Sequence, residues 1–515
     1  MKPNTILVLD FGGQYCHLIA RRIREHNVYS EIVSHDISPK EVDALKERFN
    51  IKGMILSGGP QSVYEENAPK INIAILETGI PVLGLCYGHQ LIAQIYGGNV
   101  KRAKKKEYGV TYATLIKPND ILKGLGKEEK VWMSHGDTVY SVSKDFEVLA
   151  YTENCPVAAF KHKKKPIHGL QWHPEVIHTE NGMKMLKNFL FEICKCEANW
   201  KMEDVIEKAV KEIRLIVRSG KAIVALSGGI DSSTVTVLTA KALGKNLTAV
   251  FVDHGFMREN EPKFVEDTFK KFDINFVSIN ARKGFLTKLK AIRDPEQKRR
   301  IIGKEFIRVF ENEAKKVKAD YLIQGTIYSD RIESGIRKFS DKIKTHHNVA
   351  GLPIKIKFKA IVEPLKDLYK DEVRKLAKVL GLPKEIVFRQ PFPGPGLAVR
   401  VVGEITREKI DIIKKADKIV AEEIEKTPEL KDQLWQYFAV LTETKTTGVK
   451  GDARAYGYTI AVRAVESREA MTASFAKIRY EVLEKISTRI TNEIPQVVRV
   501  VYDITHKPPA TIEWE

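Results

Sequence analysis

Three apolar runs near the start of the chain, TILVLDF, GMILSG and PVLGLC, each stop at a turn and pass into a helix-like stretch. The same rhythm returns later in KAIVALSGG, LTAVFVDHG, INFVSINA and DYLIQGT. Short runs that are apolar throughout belong to strands covered on both faces, and helices between them return the chain to begin the next parallel strand. The repetition predicts an α/β fold: two consecutive doubly wound, mostly parallel α/β domains. The rhythm breaks over 194–201, before an amphipathic helix with Val205, Ile206, Ala209, Val210, Ile213 and Val217 on one face. It stops again at FRQPFPGPGL (388–397), where proline removes donors and fixes φ, so neither a helix nor a central strand can form. Beyond lie a helical pattern over 408–426 and the strands YGYTIAVRAV and QVVRVVYDI, separated by another helix. These features predict a small α+β domain. The expected boundaries are 1–198, 199–390 and 391–515, and 515 residues suit about three domains.

The composition, 43% hydrophobic and 29% charged, is that of a globular chain. No apolar run approaches the roughly 18 residues of a membrane span, so no membrane partner is expected. The opening run meets Asp10 at once and reads as a buried strand rather than a signal peptide. Five cysteines without framework spacing suit a reducing cytoplasm. A formal charge of +19 permits nucleic acid, anionic membrane or phosphorylated substrates as partners. Most basic residues, however, are interspersed with acidic ones. Two runs stand out, Lys104–Lys106 and Lys163–Lys165. Neither has interleaved aromatics, so both read as exposed loops and no nucleic-acid partner is expected.

Cys86 lies where the run PVLGL meets the helical HQLIAQIYG. A cysteine alone is ordinarily a small buried hydrophobe. At a glycine-flanked strand-to-helix turn it can instead be a nucleophile, because the helix N-terminus favours a thiolate. It then needs a base, and the base an orienting group. QWHPE, at the end of another strand, offers His173 as base and Glu175 as its orienter. An oxyanion needs preset donors. The N–H of Tyr87 follows the nucleophile, and the glycines of LSGGP can bring a second N–H near, at Gly59. Cys16, Cys155, Cys194 and Cys196 lack such a setting and read as structural.

A second motif, Ser227-Gly228-Gly229-Ile230-Asp231-Ser232-Ser233, follows the run KAIVAL and opens a helix. Glycines let the backbone approach phosphate oxygens, and a helix N-terminus adds oriented N–H donors. The serine hydroxyls can complete the cradle. Asp231 is a candidate magnesium ligand or helix cap. No G-x-x-x-x-G-K-[ST] sequence occurs, so this is not a Walker loop. Val252 and Gly325 end neighbouring strands, where nucleotides bind in open α/β sheets.

GLCYGHQ, LSGGP and QWHPE resemble the class I glutamine amidotransferases. The resemblance implies a triad of Cys86, His173 and Glu175 that hydrolyses the glutamine amide through a thioester. It also implies glutamine contacts at Gln90, His135 and Asp137. The serine-glycine loop resembles that of the N-type ATP pyrophosphatases, which cleave ATP between the α and β phosphates and adenylate an oxygen. With DRIESG, THHNVAGLP, RQPFPGPGL, GDARAYGYT and the KPPATIEWE tail, essentially the whole chain is similar to the GMP synthase family. That similarity implies glutamine, ATP and xanthosine monophosphate (XMP) as substrates, magnesium with the ATP, no tightly bound organic cofactor, and a homodimer. It points to Arg299, Asp452, Arg454, Lys507, Ile512 and Glu513 as XMP contacts, and to Glu333, Lys342, His346 and His347 in a long loop acting as a lid. Ala350 and Ala455 stand where the family usually has Gly and Thr.

The alternative is a basic RNA-binding or tRNA-modifying protein with the same loop. Gly448-Val449-Lys450-Gly451 has the GXXG form of an RNA-gripping loop, but it joins two strand patterns rather than two helices. A thiolase would also need a sulfur-carrying cysteine in the second domain, and that domain has none.

Overall fold

A computed structural model of the chain describes residues 2–330, 358–467 and 472–515. It divides into two compact units, Met1–Lys201 and Met202–Glu515.

The first unit is built on one nine-stranded sheet. Its strands are β1 (Asn4–Asp10), β2 (Tyr29–Ser34), β3 (Asn50–Leu56), β4 (Val82–Leu85), β5 (Asn99–Leu115), β6 (Glu128–Ser141), β7 (Phe146–Tyr151), β8 (Ala159–His162) and β9 (Ile167–Leu170). Their order is β2-β1-β3-β4-β9-β8-β7-β5-β6. The first five in that order are parallel, and the other four run antiparallel. The parallel half contains the apolar runs read from the sequence. β4 is buried at every residue, as a strand covered on both faces must be. Because β3, β4 and β9 are parallel neighbours, the loops after Leu56, Leu85 and Leu170 emerge side by side.

The Lys104–Lys106 run is not a loop. It lies within β5, where the pairing with β6 slips between Arg102 and Glu107. An irregular ladder lets all three lysines face solvent while Ala103 and Glu107 on either side stay buried. The Lys163–Lys165 run does fall between strands, after β8.

The second unit begins with the helix Met202–Val217, which buries Met202, Ala209, Ile213 and Val217. A parallel sheet follows: β10 (Ala222–Ala225), β11 (Leu247–Asp253), β12 (Asn275–Asn280), β13 (Tyr321–Ile323) and β14 (Ala360–Val362), in the order β12-β11-β10-β13-β14. The strand order reverses at β10, so the crevice beyond its C-terminal end is the expected ligand position. A second sheet holds β15 (Gln436–Lys450), β16 (Ala453–Glu466), β17 (Ser474–Phe475) and β18 (Val497–Tyr502), with the helices Arg407–Glu425 and Tyr480–Glu493. One apolar cluster runs from Ile223 and Phe285 through Ile413 and Val420 to Ile460 and Ile486, so both sheets share a continuous core.

Candidate active sites

Cys86 is the residue before the helix Tyr87–Ile95 and has φ 51° and ψ −103°, a region that L-residues avoid. Such a backbone costs of order 1–3 kcal/mol and persists only where its surroundings enforce it. Here they do. The Cys86 N–H donates to Leu170 O at 2.9 Å and the Gly88 N–H to Ser57 O at 3.2 Å, tying the turn to both neighbouring loops. A Cβ on Gly88 would lie 2.5 Å from Leu56 O, so only glycine allows this approach. Tyr87 opens the helix, and its N–H is one of those with no acceptor inside the helix.

His173 and Glu175 follow β9. The His173 Nδ1–H donates to Glu175 Oε1 at 2.6 Å, leaving Nε2 for Cys86. Both side chains are buried. Burial works against a charged imidazole, but the Glu175 carboxylate and the Cys86 sulfur outweigh it and hold His173 protonated well above its ordinary range. Gly58 sits between nucleophile and base. A Cβ there would lie 3.2 Å from His173 Cε1 and 3.7 Å from Cys86 Cβ. The next residue, Gly59, lies close under the Tyr87 ring. Tyr15 packs edge-on to the imidazole at 5.0 Å, a contact that no motif signals.

Gln90, His135 and Asp137 converge beside the thiol. The Asp137 carbonyl accepts from Gln90 Nε2 at 2.9 Å and from His135 Nδ1 at 2.7 Å. His135 Nε2 meets Glu107 Oε2 at 3.1 Å, so both ring nitrogens are engaged within the protein. The Asp137 carboxylate accepts from Tyr64 OH at 2.9 Å. Sequence reasoning gave no role to Glu107 or Tyr64, which come from β5 and from the loop after LSGGP.

In the second unit, the loop after β10 is already folded as a cradle. The Ser227 N–H donates to Ser232 Oγ at 3.2 Å, the two hydroxyls lie 2.9 Å apart, and the Gly229 N–H donates to Ser227 Oγ at 3.3 Å. Gly228 has φ 77°, and its carbonyl is turned toward Arg389 Nη1, which donates at 2.9 Å. The helix Ile230–Leu243 starts here and aims its N-terminal amides at the loop. Asp231 Oδ2 pairs with Lys370 Nζ. Asp231 Oδ1 is buried without a hydrogen-bond partner among the described residues. Gly325 backs the Asp231 carbonyl, where a Cβ would lie 3.3 Å away. Val252 is buried near the end of β11. Lys370 and Arg389 had no signal in the loop motif itself.

Among the described residues no group of three His, Cys, Asp or Glu could hold a metal alone. Magnesium usually keeps its waters and binds through one or two carboxylates plus substrate phosphates. The orphaned Asp231 oxygen fits that mode.

The remaining sequence candidates fall into two places. Arg299 donates to the Glu515 carbonyl, while its neighbour Lys298, fully buried, reaches the Glu515 carboxylate and Val401 O. Glu513 accepts from Arg400 at 3.1 and 3.2 Å and from Gln436 at 2.7 Å. Ile512 is buried with Phe438, Val440 and Val465. The Lys507 backbone pairs with Ala473, beside the Val465 end of β16. Asp452 and Arg454 occupy the opposite end of the β15–β16 hairpin. At about 3.3 Å per residue, Arg454 lies roughly 35 Å along β16 from Val465. Within one chain these two groups are therefore not brought together. Glu333, Lys342, His346 and His347 lie outside the described residues. Gly448–Gly451 runs from the end of β15 into its turn, not between helices.

Three family models match the chain: "Glutamine amidotransferase class-I" over residues 7–193, "PP-loop domain" over 199–383, and "GMP synthase C terminal domain" over 422–514. Relatives named "GMP synthase (glutamine-hydrolyzing)" align over 100% of both chains. Those from Finegoldia magna and Caldicellulosiruptor saccharolyticus are 53% identical, and one from Clostridium tetani is 52% identical.

Proposed function

The chain belongs to the family of glutamine-hydrolysing GMP synthases, and we propose that its first unit releases ammonia from glutamine while its second installs that ammonia on XMP adenylated by ATP. The observation that carries this reading is the strained turn at Cys86, set against Gly58 and the hydrogen-bonded His173–Glu175 pair.

Cys86 Sγ attacks the amide carbon of glutamine. His173, already carrying the thiol's proton on Nε2, gives it to the departing nitrogen, so ammonia leaves and a thioester remains. Glu175 holds the Nδ1–H and stabilises the imidazolium between these steps. The N–H groups of Tyr87 and Gly59 receive the oxyanion. Water, activated by the same histidine, then frees glutamate and restores the thiol. Gln90 and Asp137 hold the amino-acid end of glutamine, with His135 fixing the Asp137 carbonyl.

In the second unit, a carbonyl oxygen of the XMP purine attacks the α-phosphorus of ATP, and pyrophosphate leaves. Ammonia then displaces AMP, giving GMP. The amides and hydroxyls of 227–233 hold the departing phosphates, with Val252 and Gly325 bordering the nucleotide. Asp231 would hold magnesium, which neutralises phosphate charge when bound with ATP.

Arg299, Lys507, Ile512 and Glu513 form one side of the XMP site. Asp452 and Arg454, roughly 35 Å along the strand from the tail, supply the other side from a second copy, which makes the working form a homodimer. The domains are read as 1–198, 199–390 and 391–515. Among the described residues no helix is long and apolar enough to cross a membrane, and the cysteines are free thiols, which supports a reducing cytoplasm. The test is direct. Incubation with XMP, ATP, magnesium and glutamine yields GMP, AMP and pyrophosphate. Formation of ADP, or ATP cleavage independent of XMP, would contradict the scheme.

A further inference from the structure

The amide of Gln171 lies between Cys86 and Gln90, and its orientation follows from its neighbours. Asp137 O can only accept, so the Gln90 amide must turn Nε2 toward it, at 2.9 Å. The second N–H of Gln90 then meets Gln171 Oε1 at 3.2 Å. With its oxygen so engaged, Gln171 turns Nε2 to Cys86 Sγ, 3.8 Å away. The side chain is completely buried, and its backbone N–H is anchored to Ala158 O at 2.8 Å. On the far side, Asp137 O also accepts from His135, which is braced by Glu107, itself held by Thr152 Oγ1 at 2.9 Å. An unbroken run of hydrogen bonds thus leads from a buried carboxylate on β5 to the sulfur.

We propose that Gln171 is a positioning residue of the glutaminase: it gives the Cys86 thiolate a second side-chain N–H donor beside His173 and locks Gln90 so that only the Gln90 Oε1 is left for substrate. This inference rests on the reading of Cys86 as the nucleophile. It has two consequences. The thiolate is stabilised by a hydrogen bond to charge, one of the stronger kinds. Gln90, with both N–H groups spent internally, serves glutamine as an acceptor and selects an N–H-bearing part of it.

Two variants separate positioning from mere packing. Gln171→Glu keeps the shape but replaces the donor facing sulfur with an acceptor. Gln171→Met fills the space and removes both bonds. The titratable side chains around the thiol are His173 and Glu175 beyond β9, His135 on β6 with Glu107 on β5, and His89 on the helix that Cys86 precedes. Gln171 also lies against His89, and Gln171→Glu adds a carboxyl of its own, so the alkylation profile is read first in Gln171→Met, which adds no titratable group. The full-length protein is assayed for glutamine-driven and ammonia-driven GMP formation, and for the pH dependence of Cys86 alkylation by iodoacetamide. Both variants are expected to lower glutamine-driven kcat roughly ten- to hundredfold. They should also move the alkylation profile to higher pH and leave ammonia-driven formation unchanged. An unchanged alkylation profile in Gln171→Met, in protein that melts like the parent, overturns the proposal, and so does an equal loss with ammonia. If Gln171→Glu fails to fold, Gln171→Met decides. Cys86→Ala run alongside keeps the failures apart: glutamine-driven synthesis surviving in that variant refutes the nucleophile itself, not Gln171.

Discussion

Glu175 offers one oxygen to His173 at 2.6 Å, and the pair is closed to solvent. Glu175→Gln removes the charge that fixes the Nδ1–H tautomer, and glutamine hydrolysis should fall by about 10³-fold or more. A stability effect accompanies it. The folded His173 titrates above its unfolded value near 6.5, so the pair's contribution is complete below about pH 6.5 and is lost as pH rises through the folded value. Thermal melts of the parent and Glu175→Gln should differ most near pH 6 and converge in alkali. His89 behaves oppositely. Burial pushes it down to about 3, with His135 nearby adding to the effect. The unfolded chain takes up a proton that the folded chain refuses, so stability falls as pH drops below about 6.5. His89→Leu should flatten that acid loss, measured as urea midpoints at pH 7 and pH 5. Cys86, His173 and Glu175 were legible as a proposed set because they sit at strand ends with glycine or proline close by. Gln171 and Glu107 were not. Their meaning lies in partners drawn from separate strands, and no local spacing encodes such a meeting.

At the scale of elements, the turn at Cys86 depends on the Tyr87–Ile95 helix lying against β3. Gly88→Ala drives a Cβ into the Leu56 carbonyl, which is backbone and cannot move aside. Overpacking of this kind costs about 1–3 kcal/mol, to be read as a lowered denaturation midpoint of the first unit. In the second unit, Asp231→Asn weakens the pairing with Lys370 and, on the proposed reading, removes the charge that would hold magnesium. It should impair ATP cleavage equally with glutamine or ammonia as nitrogen source, whereas an effect confined to glutamine would argue against its assigned place. Parallel strands announced themselves through unbroken apolar runs, and β1, β3, β4, β10 and β11 were all readable. The antiparallel β5–β8 extension was less so. β5 is half exposed and carries three consecutive lysines, and only its pairing with β6 explains why it is a strand.

For the whole molecule, the two units divide at Lys201 and Met202, close to the sequence break. The linker is anchored on the first side: the Trp200 N–H donates to Asn27 O at 2.9 Å, and its ring packs on Tyr29 at 4.6 Å. The second unit's XMP candidates split between the hairpin tip and the tail, which no motif scan could reveal, because the strand length between them sets their separation. If a second copy completes the site, an Arg454→Ala chain mixed with a Lys507→Ala chain should recover activity that each homodimer lacks. Mixtures no better than either alone would place both residues on one chain. The central claim is that Cys86 makes ammonia for a second site and has no part in the chemistry there. Initial rates of GMP formation by Cys86→Ala, measured with glutamine and with saturating ammonium, test it most directly. The account predicts no product from glutamine and a parental rate from ammonium. Loss of both rates in folded protein, or product still formed from glutamine, would contradict it.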